Sequence, residues 1–168
     1  MVALYIMIQK YVSGVPLYRQ EMERKRKGMN LSRLTMSNWM LKSVEPYLQP
    51  LYEKLRENLL LKDIIHANET PITVLKPLEK EGAIKCWMWL YRTGADAAHP
   101  IVLYNSQDSR GKKYPREFLK GYHSYLQTDG YSSYQHLDSD FVNVGCWVHL
   151  RRKFTDAMKG FSKEEKSR

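Results

Sequence analysis

Asp63-Ile64-Ile65-His66-Ala67-Asn68-Glu69-Thr70-Pro71-Ile72-Thr73-Val74-Leu75 is the stretch on which the reading of this 168-residue chain turns. Before it, apolar residues recur at helical spacing; from about Asp63 the period falls from 3.6 toward 2. Ile64 to Leu75 therefore reads as a strand. Ala83 to Arg92 reads as a second one, with Glu79 to Gly82 as the turn between them. In the second strand Ile84, Cys86, Met88 and Leu90 share one face, and Trp87, Trp89 and Tyr91 share the other. Both faces are apolar, which predicts a central strand covered on both sides.

Downstream, Pro100 to Tyr104 reads as a third strand and Tyr114 to Lys120 as a helix. Tyr125 to Asp129 and Phe141 to Cys146 read as the fourth and fifth strands. A last helix starts at Val148, with Leu150, Phe154, Ala157 and Met158 as its apolar stripe, and residues 160–168 read as a frayed polar end. The order β-β-β-α-β-β-α predicts a mixed sheet: a three-strand meander, then a crossover to a strand parallel to the first. Upstream, residues 1–62 read as helical. Gly14 and Pro16 separate an apolar start from a helix at Leu17 to Lys27, and Gly28 ends that helix. Ser32 is placed to cap a third helix by accepting a backbone N–H near Thr35. Leu48, Leu51, Tyr52, Leu55 and Leu59 then mark a connecting helix. The reading divides the chain at 62/63 into a helical region and an α+β or α/β sheet region.

Composition narrows the class. Apolar residues make up 43% of the chain and aromatics 12%, enough to bury a core and against wholesale disorder. Cys86 and Cys146 are too few for a disulfide framework and fit a reducing compartment. The run Val2 to Ile8 is too short for a membrane span and lacks the flanks of a secretory signal, so a cytoplasmic protein without a membrane partner is expected. The net charge of +9 is uneven: residues 1–62 sum to +6, residues 63–145 to −1 and residues 146–168 to +4. Basic ends suggest a polyanion such as DNA or RNA, although a basic surface without a partner gives the same sum.

Four groups of residues carry candidate chemistry. Leu17 to Val44 has the look of a helix-turn-helix, with Arg24, Lys25, Arg26 and Lys27 for phosphates, Thr35, Ser37 and Asn38 to reach base edges, Arg33 as a further DNA contact, and Trp39 as a core anchor. An ordinary helical hairpin fits the same pattern. Asp129, at the end of a strand and before Gly130, is either a metal or phosphate residue or a plain turn aspartate. In His66 to Pro71, period 2 sets His66, Asn68 and Thr70 on one face and Glu69 on the other, unless a bulge intervenes. Cys146-x-x-His149, followed by Arg151, Arg152 and Lys153, is half of a zinc site or a cysteine before a basic helix. No phosphate-binding glycine loop or Gly-x-Ser-x-Gly word is present.

Taken together, these words resemble the transposases of the insertion sequence 66 family, within the Asp-Asp-Glu superfamily. They are Lys10-Tyr11-Val12-x-Gly14-x-Pro16-Leu17-Tyr18-Arg19-Gln20-Glu21, Leu31-Ser32-Arg33-x-Thr35-Met36-Ser37-Asn38-Trp39, His66-Ala67-Asn68-Glu69-Thr70-Pro71, Trp89-x-Tyr91-Arg92, Tyr125-Leu126-Gln127-Thr128-Asp129-Gly130-Tyr131 and Gly145-Cys146-Trp147-x-His149-x-Arg151-Arg152-Lys153-Phe154. The resemblance implies a ribonuclease-H-like core, here a partial one with a five-stranded mixed sheet. It also implies Mg²⁺ or Mn²⁺ held by acidic residues, an in-line displacement at a DNA phosphate, and double-stranded element ends and other transposase subunits as partners in a bacterial nucleoid. Asp129 falls on the second catalytic acid and metal ligand of the family, and Asn68 on the first, where an acid is replaced by a neutral amide. On the same resemblance the chain stops before the catalytic Glu and starts after the cysteine-rich zinc-binding segment. A truncated transposase without activity in isolation is expected, or alternatively a non-catalytic DNA-binding remnant or regulator of transposition.

Overall fold

A computed structural model describes residues 2–75, 83–135, 137 and 141–159. The turn expected at Glu79 to Gly82 and the frayed end expected at 160–168 lie outside them. The chain forms two compact units, Met1–Lys54 and Leu55–Arg168.

The first unit is helical: α1 (Val2–Met7) opening into a π-helical turn at Ile8–Val12, α2 (Leu17–Arg26) and α3 (Arg33–Lys42). Gly14 and Gly28 take φ of +68° and +79° at the two breaks, a region where a side chain would strain the backbone. Ser32 caps α3: its Oγ accepts the Thr35 N–H at 3.1 Å. The core is Ile6, Met36 and Met40, with Met7, Leu17 and Leu31 packed against it. Trp39 was the expected anchor, and it is instead 38% exposed. Positions 36 and 40 are one turn apart and share the inner stripe of α3, whereas 39 is rotated away from it. The buried Gln20 amide braces the unit, donating to the carbonyls of Val15 (3.0 Å) and Ile6 (3.3 Å). A second π-helical turn at Val44–Leu48, over Pro46, leads into α4 (Gln49–Leu60).

The second unit is a five-stranded mixed sheet with flanking helices. Its strands are β1 (Ile64–Leu75), β2 (Ala83–Thr93), β3 (Val102–Gln107), β4 (Tyr125–Thr128) and β5 (Val142–Gly145); α5 (Lys113–Phe118) precedes β4 and α6 (Trp147–Lys159) follows β5. The order is β3-β2-β1-β4-β5. The first three strands form an antiparallel meander, while β4 runs parallel to β1 and β5 parallel to β4. This is the ribonuclease-H-like arrangement that the resemblance implied. The third strand begins two residues later than expected and ends three later. Asn105, Ser106 and Gln107 look like loop residues, but pairing opposite Trp89, Met88 and Trp87 holds them extended.

The two faces of the sheet differ. Ile65, Ala67, Trp89, Tyr91, Leu103, Leu126 and Thr128 are buried under Tyr114, Phe118, Leu119, Tyr122 and Tyr134. Tyr91 stacks flat on Phe118 at 3.7 Å between centroids, and Trp89 meets Tyr134 edge-on at 5.7 Å. Arg56 of α4 donates to the Phe118 carbonyl at 2.9 Å, which closes this layer. On the other face Met88 and Leu90 are only half-buried, and Val102, Tyr104, Tyr125 and Val142 are exposed. β2 lies inside the sheet, between β3 and β1, as expected, but its cover is uneven: Trp89 and Tyr91 are buried on one side, whereas on the other only Cys86 is. The α6 stripe is likewise exposed at Leu150, Phe154 and Met158.

Candidate functional site

The site forms where β1 and β4 lie side by side. Their parallel register pairs His66 with Gln127, so two residues further on Asn68 stands level with Asp129. Both line one cavity of about 170 Å³, with His66, Gln127, Thr128, Leu90, Arg92, Cys146 and His149. β1 pairs with β2 without interruption from Ile65 to Leu75. With no bulge, His66, Asn68 and Thr70 keep one face, and Glu69 points the other way into the core.

Asp129 sits in the turn that ends β4. Its Oδ1 accepts the Tyr131 N–H at 2.9 Å, and Gly130 takes φ of +86°. Its Oδ2 lies 4.0 Å from Arg110 Nη2. It is thus a turn residue and a cavity residue at once. The Asn68 Oδ1 accepts the Glu69 N–H at 2.9 Å. The side chain of Glu69 is fully buried and held by the Arg110 guanidinium, with the Arg110 Nε at 2.8 Å, and by the Tyr134 hydroxyl, which donates at 2.6 Å. Burial, and then the hydrogen bond to Glu69, push the Tyr134 phenol far above its ordinary value. Arg110 itself packs over the Tyr131 ring at 3.4 Å and the Trp87 ring at 4.9 Å. Sequence reasoning missed Arg110, which lies in a loop 41 residues from Glu69 and carries no local pattern.

Two further groups face the cavity. Cys146 immediately precedes α6, and hydrogen bonds from His149 are the largest cause lowering its thiol to about 7. Burial, then Arg92, lowers the His66 imidazole, and Asp96 opposes them. The donor set does not fit the divalent ions implied by the resemblance. Mg²⁺ binds through hard, charged oxygens, yet here one carboxylate stands beside a neutral amide and faces a guanidinium. No cluster of three His, Cys, Asp or Glu side chains suited to a metal occurs among the described residues.

The DNA-binding candidates fall in separate places. In the helical unit Lys25 and Arg26 are exposed, whereas Arg24 turns inward to the Gln20 carbonyl and the Met36 sulfur, both at 3.3 Å. Lys27 pairs with Glu23 at 2.6 Å. Arg33 and Asn38 are exposed on α3; Thr35 and Ser37 are half-buried, and the Thr35 hydroxyl is 2.9 Å from that of Ser32. In the sheet unit Arg151, Arg152 and Lys153 are exposed on α6, and Lys153 lines a second cavity that also includes Asp129, Cys146 and His149.

None of the helices is long and apolar enough to cross a membrane among the described residues. No solved structure matches the chain. Two proteins of Sinorhizobium fredii (strain NBRC 101917 / NGR234) are similar to it. The uncharacterized protein y4qI is 35% identical over 165 residues, covering 90% of this chain and 30% of that protein. The uncharacterized protein y4jD is 30% identical over 169 residues, covering 94% of this chain and 33% of that protein. The chain therefore spans about a third of the length of these curated relatives. The sequence profile described as Transposase IS66 family matches residues 1–167, nearly from end to end, and the chain belongs to that family.

Proposed function

We propose that this chain binds double-stranded DNA at the ends of a bacterial insertion sequence, in the nucleoid, without cutting it. Helix α3 would present Arg33 and Asn38 to the duplex, with Lys25 and Arg26 on phosphates and Arg151, Arg152 and Lys153 adding a contact from the sheet unit. The observation that carries the non-cutting part is Asn68 level with Asp129 in one cavity. A neutral amide there leaves Asp129 as the single carboxylate of the pair, and two-metal phosphodiester chemistry needs more negative charge than that. Such a chain would act on transposition by occupying element ends or by joining other transposase subunits.

A gel shift with an element-end duplex and a random duplex of equal length tests this. The expected result is tighter binding to the element end, weakened by Arg33→Ala or Asn38→Ala. Equal affinity for both duplexes would remove sequence-specific binding from the proposal. Incubation with Mg²⁺ or Mn²⁺ should give no nicking. A second reading, a strand-transfer enzyme, is favoured by the same pairing of β1 with β4. It predicts metal-dependent nicking once Asn68→Asp restores the second carboxylate, and continued silence of that variant would count against it.

A further inference from the structure

Residues 63–145 sum to −1, but the fold does not spread that charge evenly. In the stretch 112–122 the buried residues are Tyr114, Pro115, Phe118, Leu119 and Tyr122. Their helical spacing turns Lys112, Lys113, Arg116 and Lys120 together toward solvent. These four cations and His123 line a groove of about 560 Å³, floored by Leu119, Tyr122 and Phe141, with Glu117 as its one acidic member. None of these residues lines the cavity of Asn68 and Asp129. We propose that this groove is a second nucleic-acid contact, taking the phosphodiester backbone of duplex DNA.

Charge complementarity selects the occupant. The six residues of α5, with Lys112 and Lys120 flanking them, span about 9 Å at 1.5 Å per residue, and duplex DNA carries about five phosphates over that length, both strands counted. Four cations on such a track face a dense row of negative charge. Long, exposed lysines reach phosphates without base contacts, so the groove would add affinity and salt dependence but no sequence preference. A shallow apolar floor suits the sugar edge that lies between phosphates. The inference rests on the DNA-binding reading above and extends it to a surface that the sequence alone reads as neutral.

Two measurements on the full chain test it. In the first, duplex affinity is followed against salt for the unaltered chain, for the triple variant Lys112→Gln, Lys113→Gln, Lys120→Gln, and for the control Lys25→Gln, Arg26→Gln. The triple variant should flatten the slope of log affinity against log salt by about two to three, near 0.9 for each lost contact. An unchanged slope in the triple variant, with a reduced one in the control, overturns the groove and leaves the DNA-binding reading standing. A chain whose binding shows no salt dependence at all overturns both. In the second, lysines of the unaltered chain are acetylated with and without duplex. Lys112, Lys113 and Lys120 should be protected at least threefold. Protection of these lysines by poly-glutamate but not by duplex would overturn the nucleic-acid assignment in favour of an acidic protein.

Discussion

The two faces of the sheet are made by neighbouring residues and do opposite things. One face is dry: Ile65, Ala67, Trp89, Tyr91 and Leu126 are nearly inaccessible, and the single charge among them, Glu69, is met by Arg110 and Tyr134. The other face is open, with His66, Asn68 and Gln127 around a cavity and Val102, Tyr104 and Tyr125 in solvent. The step from Asn68 to Glu69 crosses from one to the other. A carboxylate is present at this point of β1, but the alternation of the strand commits it to the fold and leaves an amide to the cavity. Arg110 joins the two sides, clamping Glu69 while standing 4.0 Å from Asp129.

Substitutions on either side can break or sharpen that contrast, most directly as changes in urea-unfolding midpoint at constant slope. Trp89→Ala removes a fully buried indole and should cost about 3–5 kcal/mol; a loss under about 1 kcal/mol would mean that the dry face is not the core. Arg110→Ala leaves the Glu69 carboxylate buried without its cation and should cost about 3 kcal/mol. Adding Glu69→Gln to it should recover part of that loss, because the stranded charge is gone. Tyr134→Phe deletes one hydrogen bond to a charged acceptor, an effect of about 1.5 kcal/mol. Asn68→Ala, on the open face, should stay within about 0.5 kcal/mol.

The smallest effect concerns protons on the open side. With its thiol lowered to about 7, Cys146 gains thiolate as pH rises through that value. At pH 7 about half of it is thiolate, against about one part in a hundred for an ordinary thiol near 9. The thiolate of a more acidic thiol is a weaker nucleophile, so iodoacetamide should label Cys146 only about five- to eightfold faster than an unperturbed thiol. Peptide mass spectrometry across pH 6–9 reads this, and His149→Ala should move the midpoint upward.

Much of this was legible along the chain. The capping role of Ser32, the glycine breaks, both long strands and the split of Asn68 from Glu69 all follow from local stereochemistry, which the backbone obeys wherever it is placed. The order of the meander and the parallel return of β4 follow from connection rules. Other features were hidden for identifiable reasons. Trp39 looks more hydrophobic than Met36 or Met40, but helix rotation, not hydrophobicity, chooses the buried pair. Asn105 to Gln107 carry no strand signal of their own, because their extension is imposed by β2. The basic groove was masked by summing charge over a long segment instead of over the exposed side of one helix.

By itself the sequence determined where most of the helices and strands lie, which residues alternate across β1, and that an amide stands in its polar word. Those are properties of neighbours a few positions apart. Only the tertiary structure decided that Asn68 and Asp129 share a cavity, that Arg110 reaches Glu69 from 41 residues away, and that one side of the sheet stays open. Each of these depends on which strands lie side by side, and that is fixed by burying the Trp89 and Tyr91 layer against distant helices.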